Sequence, residues 1–132
     1  MKAAVINYYG STDALEIAEV QTPQVDPNQV LVKVRAAAVN PKDTFIRKGR
    51  FKRLSGNQFP QFTGFDFAGE VADVGTNVKE IELGQSVFGL LDGFKGGACA
   101  EYVVADRSQV GRLPELASFE EAASLPLVSL TA

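Results

Sequence analysis

The 132 residues carry a formal charge of −3, with 45% hydrophobic and 22% charged side chains, the composition of an ordinary one-domain globular chain. That balance gives no general attraction to nucleic acid or to an anionic membrane surface, and no apolar run approaches the ~20 residues of a membrane span, so neither partner is expected. A single cysteine, Cys99, excludes an intrachain disulfide, and the lack of histidine removes the usual general base and the commonest zinc ligand together.

The start, "MKAAVINYYG", has too short an apolar stretch for a secretory signal, and a cytoplasmic protein is the expectation. "KAAVINYY" reads as a strand that ends at the turn Gly10-Ser11. "LEIAEVQTP" reads as a second, closed by Pro23, and Asp26-Pro27-Asn28 is strong turn chemistry. In "QVLVKVRAAAV" the residues Val30, Val32, Val34, Ala36 and Ala38 share one face. Leu31, Lys33, Arg35 and Ala37 share the other, the pattern of a half-exposed strand.

Asn40 is a favoured helix N-cap, Pro41 suits the first helical position, and Asp43 follows at N3, near the positive end of the helix dipole. With Gly49 as a left-handed stop, the spacing predicts a short helix from Pro41 to about Lys48. "RKGRFKR", Arg47 to Arg53, then packs five basic residues into seven, either a solvated loop or a phosphate contact. "FKRLSGNQFPQFTG" reads as loop.

"FDFAGEVADVG" reads as a strand in which Gly69 marks a bend or a close backbone approach. Its phenylalanines, with those just before, are mostly core candidates, and one or two could line an apolar substrate pocket. "QSVFGLL" and "CAEYVVA" are short strands flanking "DGFKGG", and Cys99 is expected as a small buried side chain. Strands spaced this way, with glycine at the corners, point to an antiparallel barrel or sandwich. Near the end, Ser118 and Glu121 form a capping box, Pro126 ends or kinks that helix, and "LVSLTA" begins an apolar run that looks interrupted at Ala132.

Much familiar chemistry is absent. One cysteine and no histidine leave no Cys/His metal constellation and no catalytic triad. There is no P-loop, no G-x-G-x-x-G and no EF-hand loop. What remains is chemistry carried by a cofactor, for which the protein supplies shape and a few hydrogen bonds.

The ordered motifs N-P-x-D at Asn40–Asp43, R-x-G at Arg47–Gly49, G-x-D-x-A-G-x-V at Gly64–Val71, A-E-Y at Ala100–Tyr102 and L-T-A at Leu130–Ala132 resemble the medium-chain dehydrogenase/reductase superfamily, nearest its zinc-free branch of quinone and enone reductases. The resemblance implies a mainly β fold with short helices, a GroES-like partly open β-barrel over residues 1–132. Residues 118–132 would begin the connection to a Rossmann domain missing from this chain. It implies NADPH or NADH as cofactor and a small quinone or enone substrate. The isolated chain would bind no cofactor and be inactive alone.

Where the zinc-containing branch has a cysteine this sequence has Asn40, and where it has a histidine it has Phe65, so no zinc is expected. By the same resemblance Asn40 and Asp43 are catalytic and cofactor-binding groups beside the nicotinamide, and Thr131 approaches the cofactor. Phe45 forms part of the substrate wall, at a position where many members have a tyrosine. On the residues alone, capping is the readier account of Asn40 and Asp43. The rival reading is a non-catalytic β-barrel binding module that uses the basic segment 47–53.

Overall fold

The alternation along Gln29–Ala38 buries Val30 and Val32 completely and turns Lys33 and Arg35 to solvent, so this strand becomes the spine of a sheet with one packed face. The computed structural model describes every residue, Met1–Ala132. It has two antiparallel sheets. In the smaller, β2 (Leu15–Glu19), β1 (Lys2–Ile6) and β4 (Gln61–Phe62) pair in that order. The larger runs β7 (Tyr102–Asp106), β3 (Gln29–Ala38), β5 (Asp66–Val74), β6 (Ser86–Leu90) and β8 (Val110–Arg112). A bridge between Ala3 and Ala100 joins them, giving the partly open, mainly β barrel with short helices.

The main core lies inside this curl and includes Val30, Val32, Phe65, Phe67, Val71, Val87 and Val103. Full burial of each phenylalanine contributes about 2–3 kcal/mol. On the outer face of β5, Ala68 packs against Ala122 and Ala123 of α3 (Phe119–Ala123). With both faces of β5 covered, the run from Gly64 to Gly69 is buried without a break. Phe59 and Phe62, however, are 37% and 36% exposed, so only part of the phenylalanine cluster is core.

Gly69 is the close approach its position suggested. A Cβ there would stand 2.1 Å from the Lys33 carbonyl oxygen, and the β3–β5 register shifts between Val34 and Ala36, beside it.

α1 (Pro41–Arg47) begins at Asn40 and ends with Gly49 at φ +78°, within a residue of expectation. The segment 51–64, read as loop, instead holds α2 (Lys52–Ser55) and β4. The Leu54 and Ser55 amides both donate to the Phe51 carbonyl, and the Phe51 ring is anchored against Phe45 and Phe94. Arg47 is no solvated cation either: its guanidinium donates to the Gly10 carbonyl at 2.6 Å, and its own carbonyl accepts from Gly10 N at 2.9 Å. Near the end, the Ser118/Glu121 box forms in both directions, at 3.1 and 3.0 Å. Pro126 separates α3 from α4 (Pro126–Thr131) by occupying the new helix's first position.

Candidate active site at the start of the first helix

β3 ends where α1 begins, and the junction gathers polar groups. The Asp43 carboxylate accepts from the Asn40 amide at 2.8 Å through one oxygen and from the Gly64 amide at 2.9 Å through the other. Asp43 therefore latches the helix start to the segment entering β5. Asn40 is only 7% exposed. Its carboxamide nitrogen turns away from the helix and donates to the carboxylate of Asp66.

Asp66, 2% exposed, is the hub. Its second oxygen accepts from the Leu127 amide at 2.7 Å, in the first turn of α4. A buried carboxylate resists ionisation, and burial pushes Asp66 above the usual aspartate range, with the nearby Asp43 charge adding to it. The bonds from Leu127 and Asn40, and the charge on Lys42, act the other way without cancelling it.

Lys42 completes the cluster. Its ammonium lies 3.9 Å over the Phe65 ring and 5.2 Å from that of Phe94, and it donates to the Gly93 carbonyl. Burial pulls its pKa below the usual lysine range, although Asp43, Asp92 and Asp66 all favour its charge. An ammonium has three N–H bonds, so donors remain for a ligand.

Of the residues singled out from sequence, Asn40 and Asp43 come together here. Phe45 lies further along α1, with its ring edge-on to Phe51 at 6.3 Å and the Arg50 guanidinium 5.0 Å above it. Thr131 is exposed one turn along α4 from Leu127, and its hydroxyl donates to the Leu127 carbonyl at 2.6 Å; no bond ties it to the cluster. Asp66 and Lys42 were passed over. The signal for Asp66 was a lone charge inside "GFDFAG". Lys42 had only its place between the N-cap and Asp43.

No three His, Cys, Asp or Glu side chains come together in a group that could hold a metal ion. Asn40, Phe65 and Asp66 offer an amide, a ring and one already bonded carboxylate, a donor set that does not fit zinc. At this junction the chain offers an amide, an acid and an ammonium, which do not make a pyrophosphate cradle.

This barrel is that of a known class. Residues 26–115 match the alcohol dehydrogenase GroES-like domain family, and the chain belongs to it. It is 42% identical, over 95% of its length, to a chloroplastic quinone-oxidoreductase homolog of Spinacia oleracea, of which it covers 38%. It is 37% identical over its whole length to a chloroplastic NADPH-dependent alkenal/one oxidoreductase of Arabidopsis thaliana, of which it covers 36%. Among solved structures it superposes on the quinone oxidoreductase of Coxiella burnetii with a TM-score of 0.92 and 34% identity, covering 99% of this chain and 42% of that one. The chain thus spans about two fifths of the length of these relatives.

Proposed function

We propose that this chain is the substrate-side domain of an NAD(P)H-dependent, zinc-independent reductase of quinones or α,β-unsaturated carbonyls. Residues 118–132 would lead to a dinucleotide-binding domain. The reading rests on one observation above the others: a buried amide–carboxylate pair, Asn40–Asp66, set beside a lysine with unspent donors at a helix start. The names borne by the relatives point the same way.

The nicotinamide would supply the hydride. The chain's task is to hold the acceptor and meet the charge that grows on its oxygen, the usual demand in such reductions. Lys42 is the candidate for that, an ammonium with donors left over from its bond to Gly93. Asn40, fixed by Asp66, presents a rigid amide edge, and Asp43 keeps the junction in register. A proton for the carbon can come from water.

The test is a chimera in which residues 1–132 replace the matching segment of the spinach relative, followed by NADPH oxidation with a quinone and an enone. We expect activity in the chimera and none in the 132-residue chain alone. Lys42→Met should lower kcat on the order of tenfold to a hundredfold. Asn40→Ala should lower turnover well beyond the stability cost of about 1–3 kcal/mol that comes from leaving the buried Asp66 carboxylate one donor short. Unchanged turnover in both variants would reduce the cluster to a structural joint, and hydride transfer by the isolated chain would overturn the half-enzyme reading.

A further inference from the structure

The basic run 47–53 is only partly absorbed by the fold. Arg47 is spent on Gly10, but Arg53, on α2, lines a cavity of about 360 Å³ bounded by α2, β4 and the loop through Phe94, Lys95 and Gly96. Lys95 lines the same cavity. The ion pairs of the molecule are Met1–Glu19, Arg35–Glu70 and Arg107–Glu80, so neither Arg53 nor Lys95 is neutralised. Both are exposed, so water screens their charges, and an anion between them would be attracted to both.

The loop adds donors. The main-chain N–H groups of Phe94, Lys95 and Gly96 find no acceptor in the protein. Free amides in succession favour an anion where they point together. The loop is also fixed in place. A Cβ on Gly96 would stand 2.7 Å from the Phe62 carbonyl oxygen, and the Gly97 amide donates to the carbonyls of Thr63 and Gly64 at 3.1 and 3.0 Å. Phe94 separates the cavity from the polar junction: the residue lines the cavity, and its ring lies 5.2 Å from the Lys42 ammonium.

We propose that this cavity binds the carboxylate or phosphate group of a small molecule, held by Arg53, Lys95 and the loop amides, with the rest of the molecule reaching past Phe94 toward Lys42. If the reductase reading holds, the ligand is an acidic quinone or enone; that reading decides what lies at Lys42, whereas anion binding stands apart from it. A polyanion suits the site less well, since Arg47 is withdrawn from the basic row and the cavity takes one small group.

The binding is tested by amide NMR on the 132-residue chain, titrated with inorganic phosphate, phenyl phosphate, benzoate and, as a neutral control, benzyl alcohol. Saturable shifts at Gly56, Phe94, Lys95 and Gly96 are expected with the anions and not with the alcohol. Arg53→Gln combined with Lys95→Gln should weaken anion binding roughly tenfold. An equal response to benzyl alcohol, shifts spread without saturation along residues 47–53, or an unchanged affinity in the double variant would each overturn the proposal. So would a nucleic-acid oligomer that binds far more tightly than phenyl phosphate, which would transfer the surface to a polyanion.

In the chimera, an enone acid should show a lower KM than its methyl ester, with the preference falling toward unity in the double variant. Reduction of the ester without preference for the acid would sink the cavity proposal and leave the reductase reading intact. Reduction of neither would remove the reductase reading, and the titration would still decide the cavity.

Discussion

Asp66 sits where an ionised carboxylate is costly, and burial outweighs its hydrogen bonds in setting its pKa. Because the folded-state value is raised, the folded protein holds this proton more firmly than the unfolded chain does. Its stabilising contribution is full below the ordinary aspartate value of about 3.9 and is lost as the pH climbs through the raised folded value. Asp66→Asn removes that loss, and an asparagine can still accept from Leu127 and donate to a rotated Asn40 carboxamide. Urea unfolding across a pH series should therefore show the variant gaining on the wild type from about pH 4 upward. A difference that stays constant with pH would refute the assignment. Asn40 and Asp43 were legible as a helix start because capping is chemistry among adjacent residues. The hub was not: Asp66 finds its partners 26 and 61 positions away, and no local pattern encodes such a meeting.

Elements whose signals are local formed where expected, as β3 and α1 show. Those held by tertiary contacts did not announce themselves. α2 has four residues and depends on the Phe51 ring packing against Phe45 and Phe94. β8 has three and exists because β6 offers it an edge. Gly69 shows the opposite case, a single letter that reports a contact between strands. The 2.1 Å gap to the Lys33 carbonyl leaves no room for a methyl group without parting β3 from β5. Gly69→Ala should cost about 3 kcal/mol, read from the shift of the urea midpoint; a change within about 0.5 kcal/mol would mean the strands give way easily. Gly84, where an added Cβ meets nothing within 4 Å, is the matched control for crowding, its own cost arising from φ +80° and expected near 1 kcal/mol.

In the molecule as a whole, exposed apolar side chains are spread from Tyr8 to Leu130, and the last helical segment carries a group of them. Leu125, Val128 and Leu130 are 53%, 52% and 75% exposed, and exposed apolar side chains grouped on one short segment promote association. Sedimentation should show weak, concentration-dependent association of the 132-residue chain, reduced by Leu130→Lys; a strictly monomeric chain at high concentration would contradict this. The architecture was readable because motifs spaced over the full length agreed in order, each reporting a turn, a close approach or a cap. The site was only half readable, since its amide and one acid are local features whereas its buried acid and its lysine acquire meaning from how distant segments meet.

That meeting has a consequence for biosynthesis. The carboxylate at position 66 receives its second donor from position 127, so a chain emerging from the ribosome N-terminus first can assemble the barrel while this acid has only Asn40 for a partner. The junction is completed only when the first turn of α4 clears the exit tunnel, which makes the proposed reaction centre mature later than the barrel around it.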